Sequence, residues 1–157
     1  MWRCPTCGQT FVTPNMPHSC QVVGLDDHFA ASEPNVRATF DALLAAAREL
    51  GPVTVNATKS RISLQARMRF AAVEAPRRRH LNAHLVLTRP IESDRFTRVE
   101  HLPPYYHVHN LRLEAPEDVD AELRGWLAEA YEVGMQRHVT DPAWEKVRVP
   151  GAAPRSP

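Results

Sequence analysis

The chain has 157 residues, 43% apolar and 24% charged, with 19 Lys and Arg against 18 Asp and Glu and a formal net charge of +1. That composition implies one domain with a buried core and room for a small appendage; it excludes a disordered chain, a generally basic nucleic-acid binder and an acidic tail protein. The longest apolar run, Ala42 to Ala47, is six residues against the roughly 20 that cross a bilayer, and no apolar stretch follows Trp2 and Cys4 to make a secretory leader. The reading is a cytoplasmic protein with no membrane association.

The three cysteines, Cys4, Cys7 and Cys20, all fall in the first 20 residues. An odd number at one end makes a poor disulfide framework, and a cytosolic chain keeps such thiols reduced. With His18 they form Cys4-x2-Cys7-x10-His18-x-Cys20, two close pairs of soft ligands suited to tetrahedral structural Zn²⁺. Gly8 supplies the positive φ that turns a knuckle's amides toward thiolates, and Phe11 and Val12 read as a short strand. A redox Cys-x-x-Cys is the alternative, but it needs a strand before it and a long helix after it; here Pro14 and Pro17 follow. The single residue between His18 and Cys20 is a tight spacing, and His28 is the nearby substitute ligand. So short a segment cannot bury enough surface to fold alone, so the metal supplies much of its folding free energy.

Val23 to Ala31 reads as a connector with one helical turn. Ser32 is placed to cap a helix and Pro34 to open it. Val36, Phe40, Leu43, Leu44, Ala47 and Leu50 then mark one helical face, closed by Gly51 and Pro52. Beyond Pro52 the period becomes 2. Val53, Val55 and Ala57 alternate with polar residues, as do Ile62, Leu64, Ala66, Met68 and Phe70. No Gly, Pro or Asn marks a turn between Ala57 and Ala72, so one strand or two remain open there. Leu81 to Leu87, Phe96 to His101 and Tyr105 to Leu113 are further strands. Pro116 opens a second helix, with Glu117, Asp118 and Asp120 in its first turn and Val119, Leu123, Trp126, Leu127, Ala130 and Val133 as its stripe.

From Thr140 the chain is rich in Pro and Ala and aperiodic, a mostly disordered tail with Trp144 as its candidate tether. The expected organisation is a zinc knuckle at 1–22, an α+β domain at 23–139 and a tail at 140–157. The domain is an antiparallel meander of five or six strands with two main helices on one face. Val36, Phe40, Leu44, Leu64, Leu85, Leu123, Trp126 and Leu127 are expected in one core. Six scattered glycines form no phosphate-binding loop.

The segments GLDDHFA from Gly24, GPVTV from Gly51, TKSRI from Thr58, RVEH from Arg98 and LRGWLAEAY from Leu123 resemble domain of unknown function 5655, a bacterial family. Some of its members carry a short zinc ribbon in front. The resemblance covers about residues 21 to 138, with 1 to 20 as the ribbon, and implies a cytosolic α+β domain. It brings no activity and no catalytic residues.

Charge is segregated along the chain. From Lys59 to His80 seven bases (Lys59, Arg61, Arg67, Arg69, Arg77, Arg78, Arg79) face one acid, Glu74; from Glu114 to Glu132 seven acids face one base, Arg124. Lys59, Arg61, Ser63, Gln65, Arg67 and Arg69 share one parity, so an unbroken strand shows them on one sheet face. Such a face binds phosphate or carboxylate, or is the solvated side of an ordinary sheet with Arg77 to Arg79 at a hairpin tip. His107 and His109 share a strand face that Leu111 and Leu113 continue, which favours histidines buried among neighbours over a chelating pair; His84 has the opposite parity and belongs to the exposed face. The leading expectation is a non-catalytic zinc-containing protein whose basic face meets nucleic acid or an acidic protein surface. The alternative is a small enzyme or ligand binder with a pocket near His101, His107 and Lys59. A flat positive sheet separates the first from a closed apolar pocket in the second. Oligomeric state is not legible.

Overall fold

A computed structural model describes residues 2–140, apart from 12 and 22. Val12, Trp144 and the tail from 141 onward therefore lie outside the described residues. The N-terminal segment is a two-stranded antiparallel hairpin, β1 (Trp2–Arg3) and β2 (Thr10–Phe11). A single turn of helix, α1 (Leu25–His28), leads into α2 (Pro34–Leu50). Pro34 occupies the first turn as its spacing predicts, but the N-cap is Glu33 rather than Ser32, whose hydroxyl instead donates to the Arg77 carbonyl. Gly51 ends α2 at φ 152°, where a side chain would collide with the Tyr131 hydroxyl.

Six strands follow: β3 (Thr54–Ala57), β4 (Arg61–Gln65), β5 (Arg69–Glu74), β6 (Leu81–Leu87), β7 (Phe96–Leu102) and β8 (Tyr106–Leu113). They form one antiparallel sheet in the order β3-β4-β5-β6-β8-β7. The stretch after Ala57 is thus two strands joined by a tight turn, with a bulge at Leu64/Gln65. One departure from a meander occurs: β8 lies between β6 and β7. The chain after β6 passes the position of β8 to reach the edge as β7, and His109 on β8 anchors the link by accepting the Ile91 N–H at its Nε2.

The second helix starts later than the sequence pattern implies. Pro116–Asp118 is a 3-10 turn, and α3 (Ala121–Gly134) begins where the Asp120 carboxylate accepts the Leu123 N–H. Asp118 is spent on the Glu114 and Ala115 amides. A last turn, α4 (Arg137–Thr140), follows. Helices α2 and α3 cover one sheet face, and Phe40, Leu43, Ile62, Leu64, Leu85, Leu123 and Leu127 are fully buried between them. Val36 and Leu44 join this core; Trp126 packs on it only half-buried, its ring tilted against Phe96 at 4.6 Å and beneath the Arg95 guanidinium. Leu50, expected on the apolar stripe, is exposed. Among the described residues no helix is long and apolar enough to cross a membrane.

Candidate metal centre and the cleft beside it

The β1–β2 hairpin exists to bring four ligand atoms together. Cys4 donates its N–H to the Gln9 carbonyl and accepts from Gly8, which sits at φ 74° as the knuckle turn requires. Cys4 Sγ lies 3.7 Å from Cys20 Sγ, while His18 Nε2 lies 3.2 Å from Cys7 Sγ and 3.3 Å from Cys20 Sγ. All four ligand atoms fall within 4.8 Å of one another. A sulfur–sulfur separation of 3.7 Å is far beyond a disulfide of about 2.05 Å. It is instead close to the edge, about 3.8 Å, of a tetrahedron with metal–sulfur bonds of about 2.3 Å. His18 Nδ1 is 2.6 Å from the Met16 carbonyl and donates to it, which leaves the Nε2 lone pair facing the thiols.

The acid–base chemistry of the cluster agrees. The backbone amides of Cys7 and Thr6 pull the Cys4 thiol down to about 6, whereas burial and the neighbouring thiols push Cys20 up to about 11. Without a cation, burial and the neighbouring thiols oppose ionisation of Cys20 once Cys4 is a thiolate; a divalent soft metal removes the conflict. The four residues predicted from spacing thus form a group able to hold a metal ion, and His28 is not among them.

The predicted basic face does not survive as one stripe. The β4–β5 turn places Arg67 at a hairpin tip, and Lys59 sits in the turn before β4. Arg78 and Arg79 lie at the β5–β6 turn and pair with Glu33. Arg61 and Arg69 remain on adjacent strands of the face opposite the helices, in register with Ser63 and Gln65. That face is not open. Gln65 Nε2 donates to the Thr10 carbonyl and hydroxyl, and Thr10 Oγ1 donates to the Arg67 carbonyl, so the knuckle is tied down onto the sheet. Ser63 and Gln65 are buried as a result.

Two adjoining hollows remain between knuckle and sheet. One, of about 400 Å³, is lined by Arg61, Arg69, Ser60, Ser63, Thr58, His18 and Ser19. The other, of about 330 Å³, is lined by Phe11, Met16, Met68, Val86, Leu102, Tyr106 and also Arg69. Among the described residues neither Arg61 nor Arg69 forms an ion pair or a side-chain hydrogen bond, whereas the acidic segment is met by Arg89, Arg95, Arg112 and Arg137, and Arg124 within it pairs with Glu49. Burial and the nearby Arg61 charge lower the Arg69 pKa.

His84 is on this face, as parity predicts, but it is covered rather than exposed. Burial, then Arg69 and Arg61, hold its pKa down to about 4. His109 is wholly buried on the core face, its Nδ1 donating to the His107 carbonyl, so it is neutral and satisfied. His101 and His107 stack at 5.0 Å near the β7–β8 turn. Lys59 does not join them: β4 and β7 are four strand spacings apart, about 19 Å at about 4.8 Å each. The apolar half of the cleft has no counterpart in the sequence reading. Met16 and Leu102 come from a loop and an edge strand, where no period marks them, and Met68, which the alternation counts as a strand residue, lies in the β4–β5 turn.

Fold and cluster together define a small α+β protein with an N-terminal Cys₃His group able to bind metal. The chain belongs to the domain of unknown function 5655 family, whose model matches residues 25–134. No curated protein and no solved structure matches it.

Proposed function

We infer that this chain is a non-catalytic binding protein in which a zinc-held knuckle and the second face of the sheet together grip a compact anion. The observation that carries this reading is the pair Arg61 and Arg69, lining one hollow beside the hydroxyls of Ser60, Ser63 and Thr58 without any acidic partner among the described residues. A guanidinium held in a crevice beside a second one is underpaired, and a carboxylate or phosphate supplies the missing bidentate contacts. Positive charge gathered at one point suits a compact anion better than a nucleic-acid backbone, which needs a row of contacts.

Cys4, Cys7, His18 and Cys20 fill all four positions of a tetrahedral zinc, and a closed site of this kind holds structure rather than activating water. In this reading residues 1–22 are a metal-dependent unit, 23–139 fold around their own core, and reduced cysteines fit a cytoplasmic setting. Titration with inorganic phosphate and with a single-stranded oligonucleotide at low salt tests the proposal. Phosphate should bind wild type and lose most of its affinity in the Arg61→Met/Arg69→Met double variant. No binding of any anion at low salt refutes it.

A further inference from the structure

The cationic hollow does not end at Arg69. Both hollows are lined by Gln9, Phe11, Met16, Ser63 and Arg69, so they form one cleft with Arg69 at the junction. Beyond Arg69 the lining turns apolar, with Met68, Val86, Leu102 and Tyr106 from the sheet side and Phe11 and Met16 from the knuckle. Met16 and Leu102 are 43% and 53% exposed, two of the few large apolar side chains that the described fold leaves in water. Both line this same cleft, Met16 from the knuckle and Leu102 from β7. A cleft of a few hundred Å³ with a mainly apolar lining and a few convergent polar groups has the size and chemistry of a small-molecule site.

We propose that the cleft binds a small amphiphilic acid, its carboxylate or phosphate on Arg61 and Arg69 and its apolar body between Met16 and Leu102. This rests on the anion reading above and adds to it the second half of the ligand. A bare anion would leave the apolar hollow wet, and a neutral apolar molecule would leave the guanidiniums unpaired. Only a molecule with both parts removes both defects. A macromolecular polyanion fits less well, because the apolar half lies under the knuckle and is about 330 Å³.

The test is calorimetric titration of the zinc-loaded full chain with butyrate, octanoate, octyl phosphate and octan-1-ol. Each methylene buried is expected to raise affinity about fourfold. Octanoate should therefore bind at least about tenfold tighter than butyrate, and octan-1-ol much more weakly than either eight-carbon acid. The ratio of octyl phosphate to octanoate tells which head group the site prefers. Arg69→Met should weaken both acids, whereas Leu102→Ser, on an exposed strand edge, should weaken octanoate by a larger factor than butyrate and so narrow the ratio between them. Equal affinity for butyrate and octanoate overturns this inference while leaving the anion reading in place. Octan-1-ol binding as tightly as octanoate, with Arg69→Met indifferent, overturns both. Absence of binding by every probe to a chain that shows its full thermal transition also overturns the inference.

Discussion

Lowering the pH is expected to destabilise the protein through His84. Burial first, then the charges of Arg69 and Arg61, hold its pKa at about 4 against an ordinary 6.5, with Glu100 opposing them. Between those values the unfolded chain binds a proton that the folded chain refuses. The contribution of neutral His84 is therefore whole above about pH 6.5 and is lost as the pH falls toward 4. The interval from 6.5 to about 4, at about 1.4 kcal/mol per pH unit, sets a ceiling of about 3.5 kcal/mol on that loss. Urea unfolding of wild type and His84→Gln at pH 7 and pH 4.5 isolates it, because proton uptake by the other histidines and by the metal ligands is common to both proteins. The wild type should lose about 1–3 kcal/mol more than the variant over this interval. Equal losses, or an NMR titration that puts the His84 ring near 6.5, would refute the covered and positively charged surroundings assigned to it.

Cys7→Ser should abolish stoichiometric zinc and release residues 1–22 to fast amide exchange while the body keeps one cooperative transition; zinc analysis and exchange mass spectrometry check it. Phe40→Ala, at a fully buried ring, should cost about 3–5 kcal/mol in urea unfolding, whereas the half-buried Trp126→Ala should cost about half as much. Asp120→Ala removes the cap on the Leu123 N–H and two ion-pair contacts of Arg95. It should cost about 1 kcal/mol, read from the shift of the denaturation midpoint.

The elements that were legible in the sequence are those whose signal is local. The stripe from Val36 to Ala47 and the alternation from Leu81 to Leu87 each report a buried face, and the cysteine spacing with His18 reports a ligand set. The β4–β5 turn was not legible because its chemistry is tertiary. The Arg67 and Met68 amides are satisfied by the Gly134 carbonyl at the end of α3, at 3.1 and 2.9 Å, so no Gly or Asn is needed there. The insertion of β8 between β6 and β7 was hidden for a similar reason, since the crossover is anchored by Ile91 on His109, far apart in sequence. Helix α3 began late because Asp118 and Asp120 serve as caps rather than as first-turn residues. The cleft was invisible altogether: it arises where the knuckle docks on Gln65 through Thr10, and nothing in either segment's period announces the other.

Because Phe11, Met16, His18 and Ser19 of the knuckle line the cleft together with Arg61 and Arg69, anything that holds the knuckle in place would also complete the proposed binding site. On that proposal metal and anion should favour each other's binding, and by linkage to the same extent. The most direct measurement is the dissociation constant for inorganic phosphate on the zinc-loaded chain, on the same chain after zinc is stripped and the chelator removed, and after zinc is returned. Stripping should weaken phosphate binding by about tenfold or more, as for a coupling of about 1–3 kcal/mol, and returning zinc should restore it. An affinity that is the same with and without zinc would contradict a cleft built jointly by the knuckle and the sheet.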